Sequence, residues 1–268
     1  MADIRSVLYD QFAAASPPHA AVLPGGLVAL DLGTARTRSL SSDGNAIVER
    51  PSAVGGTDQV RPLRHGMVAD PAACLRLVRL ALRDTGVAGG RALERVLAGV
   101  PVAATRSDRR AVRAAVSEAA GCAVTLVDEP LAAAVGAGLD VTAPCLLLDV
   151  GAGVVEAAAI RDGVIADAAA LQLEVTTRAG LPPYALEGVV EMTAGLVRRL
   201  PENLRPAVRA RGLVVTGGGA RQAELLRRLH AALRVRVEAA QEPQYATIRG
   251  LMRLCLLPNP AARIALGR

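Results

Sequence analysis

The sequence predicts an α/β fold made from a duplicated unit, and two stretches carry this reading. Leu27-Val-Ala-Leu-Asp-Leu-Gly-Thr-Ala-Arg-Thr-Arg-Ser-Leu40 reads as an apolar strand ending in Asp31, a tight turn at Gly33-Thr34 and a second strand. Cys145-Leu-Leu-Leu-Asp-Val-Gly-Ala-Gly-Val-Val-Glu-Ala-Ala-Ala-Ile160 repeats the pattern, with Leu30-Asp31-Leu32-Gly33 aligned on Leu148-Asp149-Val150-Gly151. Each copy presents backbone amides and one carboxylate to a shared cleft. Glycine turns hold phosphate because their amides form a concave donor array. A carboxylate beside phosphate repels it, so Asp31 and Asp149 make sense mainly as ligands of an Mg²⁺ shell.

The remaining elements follow in order. Ile4, Val7, Leu8 and Phe12 recur at helical spacing and predict a short amphipathic helix. Ala13 to Gly26, with three prolines, reads as a linker. After the first strand–turn–strand, Asp43-Gly44-Asn45 is a hairpin turn and Ala46 to Val48 a third strand. Pro51 to Val68 reads as irregular. Pro71 to Thr85 is a helix, with Asp70 as N-cap and Pro71 in the first position. Val96 to Val102 is a buried strand, and Ser107 or Asp108 caps a helix from Arg109 to Ala120. A strand from Ala123 to Val127 runs into Asp128-Glu129-Pro130 and a helix from Leu131 to Gly138. Glu129 thus sits at a strand end and a helix N-terminus, where a carboxylate is favoured and clefts form.

The second unit continues with a strand at Gly163 to Asp167 and an ambiguous stretch at 168–185. A helix from Leu186 to Leu200, a strand from Gly212 to Val215 and a helix from Arg221 to Leu233 come next. Thr216-Gly-Gly-Gly-Ala220 opens that last helix. A strand at Val235 to Glu238 and a helix from Tyr245 to Leu256 close the pattern.

Composition narrows the function classes. At 268 residues the chain can bury a real core. All 31 basic residues are arginine, which with the alanine richness reads as coding bias and weakens any argument from arginine abundance. The net charge of +6 permits contact with anionic surfaces without demanding it. One Phe and no Trp leave no stacking platform for single-stranded nucleic acid. Cys74, Cys122, Cys145 and Cys255 are scattered, with no Cys-x-x-Cys pair, which argues against structural zinc and disulfides. No signal-peptide pattern or long uncharged apolar run is evident, so a cytoplasmic protein is expected. Residues 1–15 could anchor it to a membrane or pack on the body as a tail.

Each glycine turn alone is a weak signal. None is followed by Gly-Lys-Ser/Thr, and none has the dinucleotide fingerprint. Their conjunction is stronger: Asp-Leu-Gly-Thr, Asp-Glu-Pro, Asp-Val-Gly-Ala-Gly and Thr-Gly-Gly-Gly occur in this order, each after an apolar strand. That order resembles the actin-like ATPase superfamily, and several stretches narrow the resemblance to the bacterial actin MreB and its relatives. Asp31-Leu-Gly-Thr-Ala-Arg-Thr37 is similar to the family's first phosphate loop. Arg61-Pro-Leu-Arg-His-Gly-Met-Val-Ala-Asp70, Gly99-Val-Pro-Val102, Arg109-Arg-Ala-Val112 and Asp128-Glu-Pro-Leu-Ala-Ala-Ala-Val-Gly-Ala-Gly-Leu139 resemble further family motifs.

The resemblance implies an actin-like, ribonuclease H-like duplicated core with an ATP–Mg²⁺ site between two α/β halves. It divides the chain into an extension at 1–26, a first half at 27–144 with 240–268 packing back on it, and a second half at 145–239. Asp31 and Asp149 would serve Mg²⁺ indirectly. Gly33, Thr34, Ala35, Arg36 and Thr37 would face phosphate, as would Gly151, Ala152, Gly153 and Val154 of the second turn. Gly217, Gly218, Gly219 and Ala220 would lie beside the adenosine, and Glu129 matches the water-activating carboxylate. The implied role is in cell-shape or envelope morphogenesis, with other morphogenetic proteins and longer MreB-like relatives as partners.

The sequence also departs from the family. Its second loop, Gly-Gly-Gly-Thr in relatives, is Gly151-Ala152-Gly153-Val154 here. Ala152 adds a Cβ where backbone must approach phosphate, and Val154 lacks the hydroxyl that positions the attacking water. Loss of one such polar group commonly lowers rates about 10²–10³-fold. The two outer subdomains, carried in relatives between Ser52 and Arg61 and between Leu171 and Ala185, are cut back to loops, and the chain has no lysine. The expectation is at most a weak ATPase, with a non-hydrolysing scaffold or adaptor as the alternative. A metal-dependent nuclease on the same core is disfavoured, because Glu129-Pro-Leu-Ala-Ala-Ala134 has no place in one.

Overall fold

A computed structural model describes residues 26–44, 46–56, 58–86, 93–173 and 181–256. The amphipathic helix and most of the linker expected before Gly26 lie outside the described residues, as does the tail beyond Leu256.

The strands in chain order are β1 (Gly26–Leu32), β2 (Arg36–Ser41), β3 (Val48–Pro51), β4 (Leu63–Arg64), β5 (Met67–Val68), β6 (Leu93–Val100), β7 (Ala123–Asp128), β8 (Cys145–Val150), β9 (Val154–Arg161), β10 (Val164–Gln172), β11 (Leu213–Thr216) and β12 (Val237–Ala239). The helices are α1 (Pro71–Asp84), α2 (Arg106–Ala120), α3 (Glu129–Gly136), α4 (Pro183–Arg199), α5 (Arg205–Arg211), α6 (Ala223–Leu233) and α7 (Ala246–Leu256). Two five-stranded sheets share one topology. The first runs β3-β2-β1-β6-β7 and the second β10-β9-β8-β11-β12. In each, an antiparallel hairpin carrying the Asp–Gly turn is extended by parallel strands. The duplicated α/β unit read from the two Asp–Gly stretches is therefore present.

Central strands are buried on both faces, which explains their continuous apolar runs. Val28, Leu30 and Leu32 of β1 pack with α1 and α2, while Leu27 and Ala29 face α3 and α7. Asp31 continues the second set by alternation, so it points to the α7 side. In the second sheet Leu146, Leu148 and Val150 pack with α4 and α6, and Cys145 and Leu147 face α3. Helix α3 therefore lies between the lobes, buried from Glu129 through Val135. It crosses α7 so closely that a methyl on Gly136 would overlap the Ala246 carbonyl, and one on Gly250 the Ala132 carbonyl. Arg253 Nη1 donates to the carbonyls of Val135 (2.6 Å) and Gly136 (3.2 Å), capping the C-terminus of α3.

Several boundaries differ from expectation for local reasons. Helix α1 starts as read, with Asp70 accepting from the Ala73 amide at 2.9 Å. Helix α2 instead starts at Arg106, because Thr105 and Asp108 form a reciprocal capping box. Helix α3 starts at Glu129 itself, directly where β7 ends. Strand β3 lies at Val48–Pro51 rather than 46–48, since pairing with β2 matches Ser39 with Val48 and Arg36 with Pro51. The ambiguous stretch after Asp167 continues β10 along β9 to Gln172, after a register slip between Ile165 and Asp167. Helix α6 begins at Ala223, because the Gly219 amide is engaged by the Val150 carbonyl and the Ala220 and Gln222 amides by turn bonds. In the stretch read as irregular, Val54 and Val60 pair through reciprocal backbone bonds of 3.0 and 2.9 Å.

Candidate functional site

The two Asp–Gly turns meet across the cleft between the sheets. The β1–β2 turn is tight: a Cβ on Gly33 would stand 2.8 Å from the Arg36 carbonyl oxygen. The second turn closes by the Gly151 amide donating to the Val154 carbonyl at 3.0 Å. Thr34 packs directly on Gly153, leaving no room there for a methyl group. The Thr34 hydroxyl accepts from the Gly66 amide at 2.8 Å, and His65 Nδ1 lies 2.8 Å from the Gly153 carbonyl. His65 takes φ +54 and Gly66 φ +72 in the turn between β4 and β5, a backbone shape costly for a side chain other than glycine's. This hairpin thus bridges both turns.

Thr216 fixes Asp149 by donating its hydroxyl at 2.8 Å. Gly217 follows at φ +84, where a Cβ would meet the Val150 carbonyl oxygen at 2.5 Å. The Gly217 amide donates to Pro243 and the Gly219 amide to Val150, whereas Gly218 faces open space. Ala220 is fully buried. Thr37 lies on the opposite face of β2 from Arg38, the partner of Asp31, and shares a 2.8 Å hydrogen bond with Ser52. Ser52 in turn donates to the Gly33 carbonyl at 2.6 Å, so this pair braces the turn from behind. Arg36 is exposed and pairs with Glu49 at 3.6 Å, and Ala35 offers its carbonyl to the Ser52 amide at 3.0 Å.

Four carboxyl groups are buried at the cleft: Asp31, Glu129, Asp149 and Glu156. Glu156 Oε1 accepts from the Val102 amide of the other lobe at 2.7 Å, while its Oε2 and Glu129 Oε1 lack partners. Burial raises Glu129 well above the usual carboxyl range, and the charges of Glu156, Asp31 and Asp149 add to the push. Burial raises Glu156 to about 8, with Asp149 adding to it and the Val102 bond opposing. Burial raises Asp149 to about 6 against the Thr216 bond. Asp31 is raised by burial but restrained by Arg38. Gly99 makes room for Glu129, whose Cγ would lie 3.1 Å from a Cβ there.

These residues do not fit a divalent cation as they stand. Asp31 accepts from Arg38 Nη1 at 3.1 Å, Asp149 accepts from Thr216, and Val154 brings no side-chain oxygen. Among the described residues no group of three His, Cys, Asp and Glu side chains is placed to hold a metal ion. Sequence reasoning missed Arg38, His65, Glu156 and Tyr245. Carrying the alignment of the two turns along their hairpins would have found two of them, since Arg38 pairs with Asp31 as Glu156 pairs with Asp149. His65 carries no such signal: an isolated histidine is brought to the cleft only by tertiary packing.

A shared cleft between two copies of one hairpin-and-crossover sheet defines an actin-like protein. The model of the MreB/Mbl protein family matches residues 55–176. The cell shape-determining protein MreB of Escherichia coli K12 is 35% identical over 115 residues, 41% of this chain and 33% of that protein. Mbl of Bacillus subtilis 168 is 26% identical over 149 residues, 55% of this chain and 44% of that protein. The chain thus spans between a third and under half of these relatives' length. MreB5 of Spiroplasma citri, solved bound to ADP, superposes with a TM-score of 0.74 at 18% identity, covering 86% of this chain and 96% of that one. A MamK double helical filament subunit does so at 0.74 and 18%, covering 87% and 99%. Together these findings show the actin-like fold and a similarity to the MreB/Mbl family over residues 55–176.

Proposed function

We propose that this chain is an MreB-like module of the cell-shape or envelope-synthesis machinery whose cleft binds an adenine nucleotide and turns it over slowly or not at all. The lobes of that cleft are residues 27–144 and 145–239. The observation that carries the reading is the meeting of the two Asp–Gly turns, Thr34 on Gly153, with the Gly217–Ala220 loop beside Asp149. Nucleotide-bound MreB5 structures of the same fold support it. Slow turnover follows from two features. Burial and the neighbouring carboxylates disfavour the charged form of Glu129, which weakens it as a base toward water. Val154 has no hydroxyl to orient that water. These features also favour the second reading, an adaptor that binds morphogenetic proteins or longer MreB-like relatives without turnover. Residues 1–15 remain the candidate for membrane contact in either reading.

The test is thermal unfolding with ATP and Mg²⁺, with Gly218→Asp as the control. Gly218 faces open space, so the side chain fits while its charge opposes a nucleotide. Ligand at 100-fold its Kd adds about 2.7 kcal/mol, which for a chain of this size moves Tm by roughly 5–10 °C. A shift of that size lost in Gly218→Asp supports the reading, with phosphate release close to background. No shift at millimolar ATP sinks it and leaves the adaptor.

A further inference from the structure

Duplication places opposite charges at one structural position. Across the first hairpin Asp31 is paired with Arg38, and across the second Asp149 is paired with Glu156. Arg38 is built in from every side. Its Nη1 donates to Asp31 at 3.1 Å and its Nε to Glu49 at 2.7 Å. Its guanidinium lies 5.6 Å from the Tyr245 ring centroid, and Arg249 flanks the same ring at 5.7 Å. The Arg38 side chain is 15% exposed and the Asp31 side chain 8%. A carboxylate buried this far stays ionised only beside a positive partner. Arg38 supplies one held by strand pairing, and it cannot lose its proton. Its field reaches Asp149 in the other lobe. The two bonds leave guanidinium N–H donors for a phosphate oxygen, a match that arginine makes well.

We propose that Arg38 is the resident cation of this cleft: it stands beside Asp31 in place of a divalent metal, and the polyphosphate the cleft accepts is metal-free nucleotide. The place of Arg38 is independent of the nucleotide reading above, whereas the identity of the ligand rests on it. Most nucleotide sites are presented with a metal complex; here the positive charge belongs to the chain.

The experiment follows thermal unfolding of the full chain and of Arg38→Met, each in EDTA and in millimolar MgCl₂, with and without ATP. The wild type is expected to melt at the same temperature in EDTA and MgCl₂, and ATP should raise its Tm by roughly 5–10 °C equally in both. Arg38→Met should melt several degrees lower in EDTA and regain part of the loss with Mg²⁺ alone. An ATP shift in the wild type that requires Mg²⁺ overturns the proposal and keeps the nucleotide reading. No ATP shift in either buffer removes the nucleotide reading and the metal-free ligand with it. The metal arm still decides the place of Arg38: Mg²⁺ raising the wild type, or leaving Arg38→Met unmoved, overturns it. Should Arg38→Met fail to fold, Mn²⁺ uptake by the wild type, read by electron paramagnetic resonance, decides instead. No uptake at micromolar metal is expected, and one tightly held ion per chain overturns the proposal.

Discussion

Glu156 shows what a single residue contributes to this cleft. It is 1% exposed, its Oε2 has no partner, and Asp149 stands beside it on the paired strand. Its ordinary value of 4.5 rises to about 8 in the fold, and Asp149 moves from 3.8 to about 6. Both groups hold protons in the folded state that the unfolded chain releases. Stability is therefore full below about pH 4 for these groups and is lost as pH rises through about 6 and then 8. A tenfold change in proton affinity is worth about 1.4 kcal/mol, so the combined loss is at most about 8 kcal/mol. Glu156→Gln keeps an oxygen for the Val102 amide and removes the charge. Its urea midpoint should match the wild type at pH 5 and exceed it at pH 8, by the equivalent of about 1–3 kcal/mol. A wild type more stable at pH 8 than at pH 5 would sink this account. The aspartates were legible in the sequence, because an Asp–Gly turn after an apolar strand is a local pattern. Glu156 and Arg38 become legible only when the alignment of the two turns is carried along their hairpins, because what matters about each is the residue it faces across the pair.

At the scale of elements, the α3–α7 crossing holds the lobes together. Helix α3 is Glu-Pro-Leu-Ala-Ala-Ala-Val-Gly, and its small residues let α7 approach to backbone contact at Gly136 and Gly250. A methyl on Gly250 has nowhere to go except into the Ala132 carbonyl. Overpacking of this kind costs about 1–3 kcal/mol or more, since neither helix can move without shifting a sheet. Gly250→Ala should thus lower the urea midpoint by the equivalent of about 3 kcal/mol. Gly195 on α4 is the contrasting case, since the nearest atom to an added Cβ is Arg198 Nη2 at 3.8 Å. Gly195→Ala should stabilise by up to about 1 kcal/mol through helix propensity. Equal effects at the two sites would show that α3 and α7 are not packed as described. Most helices and strands were legible from periodicity and caps, as at Asp70-Pro71. The continuation of β10 was not, because Ala168 to Leu171 has no strand signal of its own and takes its form from pairing with β9. Helix α5 was also missed, its arginine-rich turns masking a core stripe reduced to Val208.

The whole molecule shares its fold with a MamK subunit solved as a double helical filament, which raises the question of self-assembly. Stable protein contacts bury about 1,600 Å² around a well-packed apolar centre. Among the described residues, the large apolar side chains left exposed are Val60, Val164, Tyr184 and Leu256, each on a different element. They offer scattered points rather than one patch. Between Ser52 and Arg61 this chain folds back through the Val54–Val60 pair. The net charge of +6 adds repulsion between stacked copies. The expected behaviour in ATP and Mg²⁺ at physiological salt is therefore a species that stays in the supernatant after high-speed centrifugation and sediments as a small particle. Abundant filaments by electron microscopy would mean that the two-lobed core supplies the longitudinal contact by itself. Absence of filaments alone, with co-pelleting onto filaments of a longer MreB-like relative, would instead assign this chain to the ends or sides of someone else's polymer. That outcome fits the proposed reading of a cleft with a built-in positive charge and slow turnover, because an adaptor has no need to time its own disassembly.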